Sequence, residues 1–217
     1  MNEITDFYTP TGIHVYFKDK MVNDEIDLEK VISKVESIVP IHCLTEVEMI
    51  IVGWFDEFEE RNLSAFYKDS ALYVSNIQQS NEELYEVIIH EIAHSLEGDY
   101  GYELYGDEKM KDEFLRKREY LHDILWKADF KAPLSLFMEI EYNEEFDMFL
   151  FEDIGYDKLI TILSGVFINA YAPTSLREYF ATGFADYFIE PNHKFLQNVS
   201  PLLYQKIEKV LKEPDFT

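Results

Sequence analysis

Cysteine is nearly absent. Cys43 stands alone, so no disulfide can close within the chain and no cysteine-rich zinc site can be built. Long apolar runs are missing too: no stretch reaches the ~18 consecutive apolar residues that a membrane-spanning helix needs. Positive charge is scarce, with 19 Lys and Arg against 43 Asp and Glu and a net charge of −24. Phosphate backbones and anionic membranes are bound through basic stripes, so neither nucleic acid nor membrane is an expected partner. A cationic peptide or protein substrate is compatible with such a surface, and so is plain solubility. The opening residues, MNEITDFYTP, lack the basic leader and the apolar segment of a secretory signal. The expectation is a cytoplasmic protein, or one exported without a cleavable signal. A signal peptide trimmed beforehand would make it secreted.

What is present describes a folded globule. The 217 residues are 47% hydrophobic and 16% aromatic, enough for a sizeable core. Residues 13–17 and 47–54 are rich in β-formers and predict strands, as do residues 71–74. Apolar residues at helical spacing predict a helix over 24–39, ended by Pro40. Further helices are expected over 107–127, 157–169, 176–189 and 201–211, with an acidic, solvated loop or helix face over 139–153. No repeat or interdomain linker breaks the chain. Residues 1–70 read as an N-terminal α/β segment of the same unit, and residues 71–217 as the core.

The chemistry concentrates in 85–101, YEVIIHEIAHSLEGDYG. His90-Glu91-Ile92-Ala93-His94 is an HExxH motif inside an apolar helical run. Histidines four apart stand one above the other on a helix, so both imidazoles reach one zinc ion. Glu91, about 100° round the same helix, is placed as the general base of a metal-assisted hydrolysis. Ser80 and Glu83 form a capping box at the start, and Gly98 is the expected stop. Ile88, Ile89, Ile92 and Leu96 cover the opposite side, which buries the helix and leaves one polar stripe.

A catalytic zinc takes three protein ligands and keeps one position open. The extended motif HExxHxxGxxH fails, because Glu97 and Tyr100 stand where Gly and His are required. His122 and Glu119 share a later helix and are candidates for the third ligand. His14, His42 and His193 read as ordinary strand, turn and loop residues. Glu178 is the other candidate, on a helix lined by the small residues Ala181, Thr182 and Ala185. Ser175-x-x-Glu178 is equally a capping box in which Glu178 serves only backbone amides. Helix chemistry leaves both readings standing.

The pairing of His90-Glu91-x-x-His94 with Tyr171-x₆-Glu178-Tyr179-Phe180-Ala181 resembles the anthrax lethal factor catalytic domain and the secreted Pro-Pro endopeptidases, zinc metallopeptidases of the zincin class. The resemblance runs from residue 72 to about residue 210. It implies that His90, His94 and Glu178 bind one Zn²⁺, that Glu91 is the base and that Tyr171 assists catalysis. It also implies an α+β, zincin-like fold: a small mixed β-sheet packed on a mainly helical body, with the HExxH helix and a later helix carrying the third ligand. The implied activity is that of a zinc endopeptidase. One departure stands out. The family usually continues Phe-Phe-Ala-Glu-Ala-Phe after the third ligand, whereas Thr182 and Gly183 occupy the Glu and Ala positions here. Loss of that outer carboxylate favours one alternative, a weak or inactive zinc-binding regulatory protein on the same fold. A second, a purely structural metal site, goes with the reading of Glu178 as a capping residue.

Overall fold

The computed structural model describes residues 6–60 and 63–212. It is an α+β protein, with one mixed five-stranded sheet and ten α-helices among the described residues. The chain divides into two compact units, the first ending at Asp99 and the second running from Tyr100 to Lys212.

The first unit opens with strands β1 (Phe7–Tyr8) and β2 (His14–Phe17), followed by helix α1 (Leu28–Ile38). This helix begins later than its apolar pattern predicts. The side chain of Asn23 accepts the Glu25 N–H at 3.0 Å, and that of Asp27 accepts the Lys30 N–H at 3.0 Å. These local bonds hold 23–27 outside the helix and make Asp27 its cap. Strand β3 (Met49–Gly53), the short helix α2 (Asp56–Glu60) and strands β4 (Ala65–Lys68) and β5 (Ala71–Ser75) complete the sheet. Its order is β1-β2-β3-β5-β4, parallel from β2 through β3 to β5 and antiparallel at both edges. Val15, Ile50, Val52, Leu72 and Val74 are buried, as β-branched and Leu side chains in central strands should be.

A two-residue turn joins β4 to β5. Asp69 and Ser70 carry φ of 49° and 59°, so both central residues are left-handed, as a type I′ hairpin requires. Neither is glycine, and an L-residue held there stores strain.

Helix α3 (Asn81–Tyr105) runs through Gly98 rather than stopping at it. A glycine in a helix interior costs about 1 kcal/mol but does not break it. Buried Leu96 and Leu104 on either side outweigh that cost. The helix ends at Tyr105: the Gly106 N–H still reaches the Tyr102 carbonyl at 2.8 Å, and the chain then turns left-handed at Glu108, φ 56°.

The second unit takes up the last turns of α3 and continues as α4 (Lys109–Lys127), α5 (Leu134–Phe137), α6 (Glu144–Met148), a π-helical turn over Phe149–Ile154, and α7 (Tyr156–Ile162). The acidic stretch 139–153 is therefore largely helical. The core helix expected over 157–169 ends at Ile162 instead. Gly165 at φ 79° turns the chain into an irregular segment that continues to Ser175. Helices α8 (Leu176–Ile189), α9 (Lys194–Val199) and α10 (Pro201–Val210) follow.

Helices α4, α8 and α10 pack on one another. The rings of Phe114, Phe167 and Tyr179 meet at centroid separations of 5.4 to 6.2 Å. Arg118 is fully buried, donating to the carbonyls of Glu139 at 2.9 Å and Leu136 at 2.5 Å with its guanidinium over Phe146. Buried Glu113 accepts from the Tyr179 hydroxyl at 2.9 Å and from the N–H groups of Leu202 at 2.9 Å and Leu203 at 3.1 Å. A carboxylate on α4 thus caps the N-terminus of α10. No helix among the described residues is long and apolar enough to cross a membrane.

Gly183 explains one departure from the resemblance. A Cβ there would collide with the Leu203 side chain of α10. Gly183→Ala should therefore destabilise the protein by about 1–3 kcal/mol in urea unfolding. Ser70→Gly should raise stability by about 0.5–1 kcal/mol in the same measurement, because glycine takes the left-handed turn without strain.

Candidate metal centre

The capping box fixes where α3 begins. The Ser80 hydroxyl accepts the Glu83 N–H at 3.1 Å, and the Glu83 carboxylate accepts the Gln79 N–H at 2.5 Å. Ile88, Ile89, Ile92, Ala93 and Leu96 are all at most 2% exposed. With that side buried, the helical repeat leaves His90 and His94 on the remaining stripe. Their ring centroids are 5.0 Å apart with planes at 73°. Glu91 is buried on the same helix.

Helix α8 places Glu178 in its first turn. The Ser175 hydroxyl accepts the Glu178 N–H at 3.1 Å, so Ser175 is the cap that its position implied. Capping does not remove Glu178 from the site. One donor atom from each of His90, His94 and Glu178 lies within 4.8 Å of the other two. Among the described residues this is the one group of three or more His, Cys, Asp or Glu so gathered.

The set suits zinc. Donors round a tetrahedral zinc, each at about 2.0–2.2 Å, stand about 3.3 Å apart. Two imidazoles and a carboxylate are a zinc donor set that leaves one corner of the tetrahedron. No fourth such residue joins them among the described residues, whereas a closed structural site needs four.

Tyr171 precedes α8 in the irregular segment. The Asn169 side chain accepts the N–H groups of Tyr171 at 3.0 Å and Ala172 at 2.9 Å, and Thr174 binds the Tyr171 carbonyl through its N–H and hydroxyl. The phenol is driven well above the ordinary tyrosine range, first by burial and then by the negative charge of Glu178 and Asp147.

No family model, curated protein or solved structure matches this chain. The centre stands on its own geometry.

Among the described residues no other histidine is grouped with these three. His14 bonds to Asp6 at 3.0 Å and stacks on Tyr8, His122 packs against Trp126 and Phe137, and His193 packs against Tyr187. Glu119 is exposed. Sequence reasoning passed over Glu97, noting it only as the residue standing where a longer motif has glycine. Its carboxylate bonds to His94 Nδ1 at 2.8 Å. The signal was there: residues three apart on a helix are neighbours. Thr182, one turn beyond Glu178, is buried and its hydroxyl has no hydrogen-bond partner.

The protein should bind one zinc ion per chain by chelator competition. His90→Ala, His94→Ala and Glu178→Ala should each weaken binding by more than the about 100-fold reached by outer residues. Undiminished affinity in any of the three would remove that residue from the set.

Proposed function

We propose that the protein is a zinc-dependent endopeptidase with a zincin-like core. The observation that carries this reading is the convergence of His90, His94 and Glu178 donor atoms, with Glu91 following His90 on the same buried helix. The resemblance of Tyr171-x₆-Glu178 to the lethal-factor pattern supports it.

Zinc bound there would supply a Lewis acid that polarises a peptide carbonyl and acidifies water toward pH 7. The protein's own groups do the rest. Glu91 accepts the proton of the attacking water and returns it to the amine nitrogen as the peptide bond breaks. Tyr171 donates a hydrogen bond to the carbonyl oxygen as negative charge grows on it. Burial suits that role, because it favours the protonated phenol, the form that donates. A substrate of positive charge would be drawn by the net −24 of the chain.

Glu91→Gln should retain one zinc per chain and lose cleavage of a random peptide pool by about 100-fold or more. Cleavage persisting in that variant, or in a wild-type sample held in chelator, would overturn the assignment. Zinc binding without any new peptide termini would favour a binding protein instead.

Tyr171→Phe should lower kcat by about 100-fold, as loss of an oxyanion donor does elsewhere. An unchanged kcat in that variant would remove the phenol from the mechanism.

A further inference from the structure

A metal takes one nitrogen of an imidazole, and the partner of the other nitrogen decides which one is free. In neutral histidine one ring nitrogen carries the proton and the other the lone pair. For His94 the partner is the Glu97 carboxylate, 2.8 Å from Nδ1. The two side chains are only 11% and 12% exposed, so water competes weakly for this contact. A carboxylate accepts and cannot donate, so the proton sits on Nδ1 and the lone pair on Nε2. An exposed helical pair of this spacing contributes only a few tenths of a kcal/mol. Its near burial beside a metal ligand gives it another use.

Thr182 offers no substitute from α8. It carries no charge, and its hydroxyl has no hydrogen-bond partner. We infer that Glu97 is the positioning residue of the centre: it locks the His94 ring and its Nδ1–H tautomer so that Nε2 faces the ion. This rests on the metal set of the proposed peptidase but not on its activity. Glu97 then does from within α3 what an outer carboxylate on the third-ligand helix would otherwise do.

Long-range ¹H–¹⁵N NMR of the full-length, metal-free protein, at a pH where its imidazoles are neutral, reads the tautomer directly. His94 should be the Nδ1–H form in wild type and in Glu97→Gln, whose amide oxygen still accepts. Glu97→Ala should shift it toward Nε2–H. Zinc affinity should fall about 10–100-fold in Glu97→Ala and less in Glu97→Gln. Asp99→Asn, an exposed charge two residues on, should leave it unchanged. Wild-type His94 in the Nε2–H form would overturn the inference. So would Glu97→Ala binding zinc as tightly as wild type, or Asp99→Asn weakening it equally. If Glu97→Ala does not fold, the wild-type tautomer and the Glu97→Gln affinity decide. Zinc bound with these signatures but no peptide cleaved would sink the peptidase and leave this role of Glu97 intact.

Discussion

A carboxylate taken out of water governs the helical unit. Burying Glu113 costs several kcal/mol unless its oxygens are satisfied, and three donors satisfy them: Tyr179 and the first free amides of α10. The same bonds tie α4, α8 and α10 into one arrangement, since each supplies a partner that the others lack. Tyr179 follows Glu178 in sequence, about 100° further round α8. Fixing the tyrosine against Glu113 therefore fixes the rotation of the helix and the direction in which Glu178 emerges. Burial and Glu113 together push the Tyr179 phenol far above its ordinary range, so the donor holds. Close approach reinforces the arrangement, because Gly183 leaves room for Leu203.

Helical periodicity carried most of what was legible beforehand. His90, Glu91 and His94 could be placed on one stripe of α3 because the isoleucines round them left no other side exposed. Glu178 was different. A capping box and a ligand position share the same spacing, and local chemistry does not separate them. Ser175 does cap the helix, and a Glu178 oxygen still joins the histidines. The distinction lies in contacts far apart along the chain, which periodicity does not encode.

The misread boundaries have local causes. Gly98 looked like a stop, yet buried leucines on both sides carry α3 past it. The apolar run after Gly155 looked like one helix, yet Gly165 turns left-handed and frees the segment that holds Tyr171. Strands β1 and β4 went unnoticed because two- and four-residue edges show too little alternation. Glu97 escaped for another reason: it was judged as an absence from a longer motif, and its neighbour one helical turn back was not weighed.

Strand order has a kinetic consequence. Parallel neighbours cannot be joined by a tight turn, so β2, β3 and β5 meet only after long stretches of intervening chain have been drawn in. The two antiparallel edges need to close only short loops, residues 9–13 between β1 and β2 and Asp69 and Ser70 between β4 and β5. Assembly of the sheet should thus begin at its two edge hairpins, with the parallel pairings of β3 to β2 and β5 formed last.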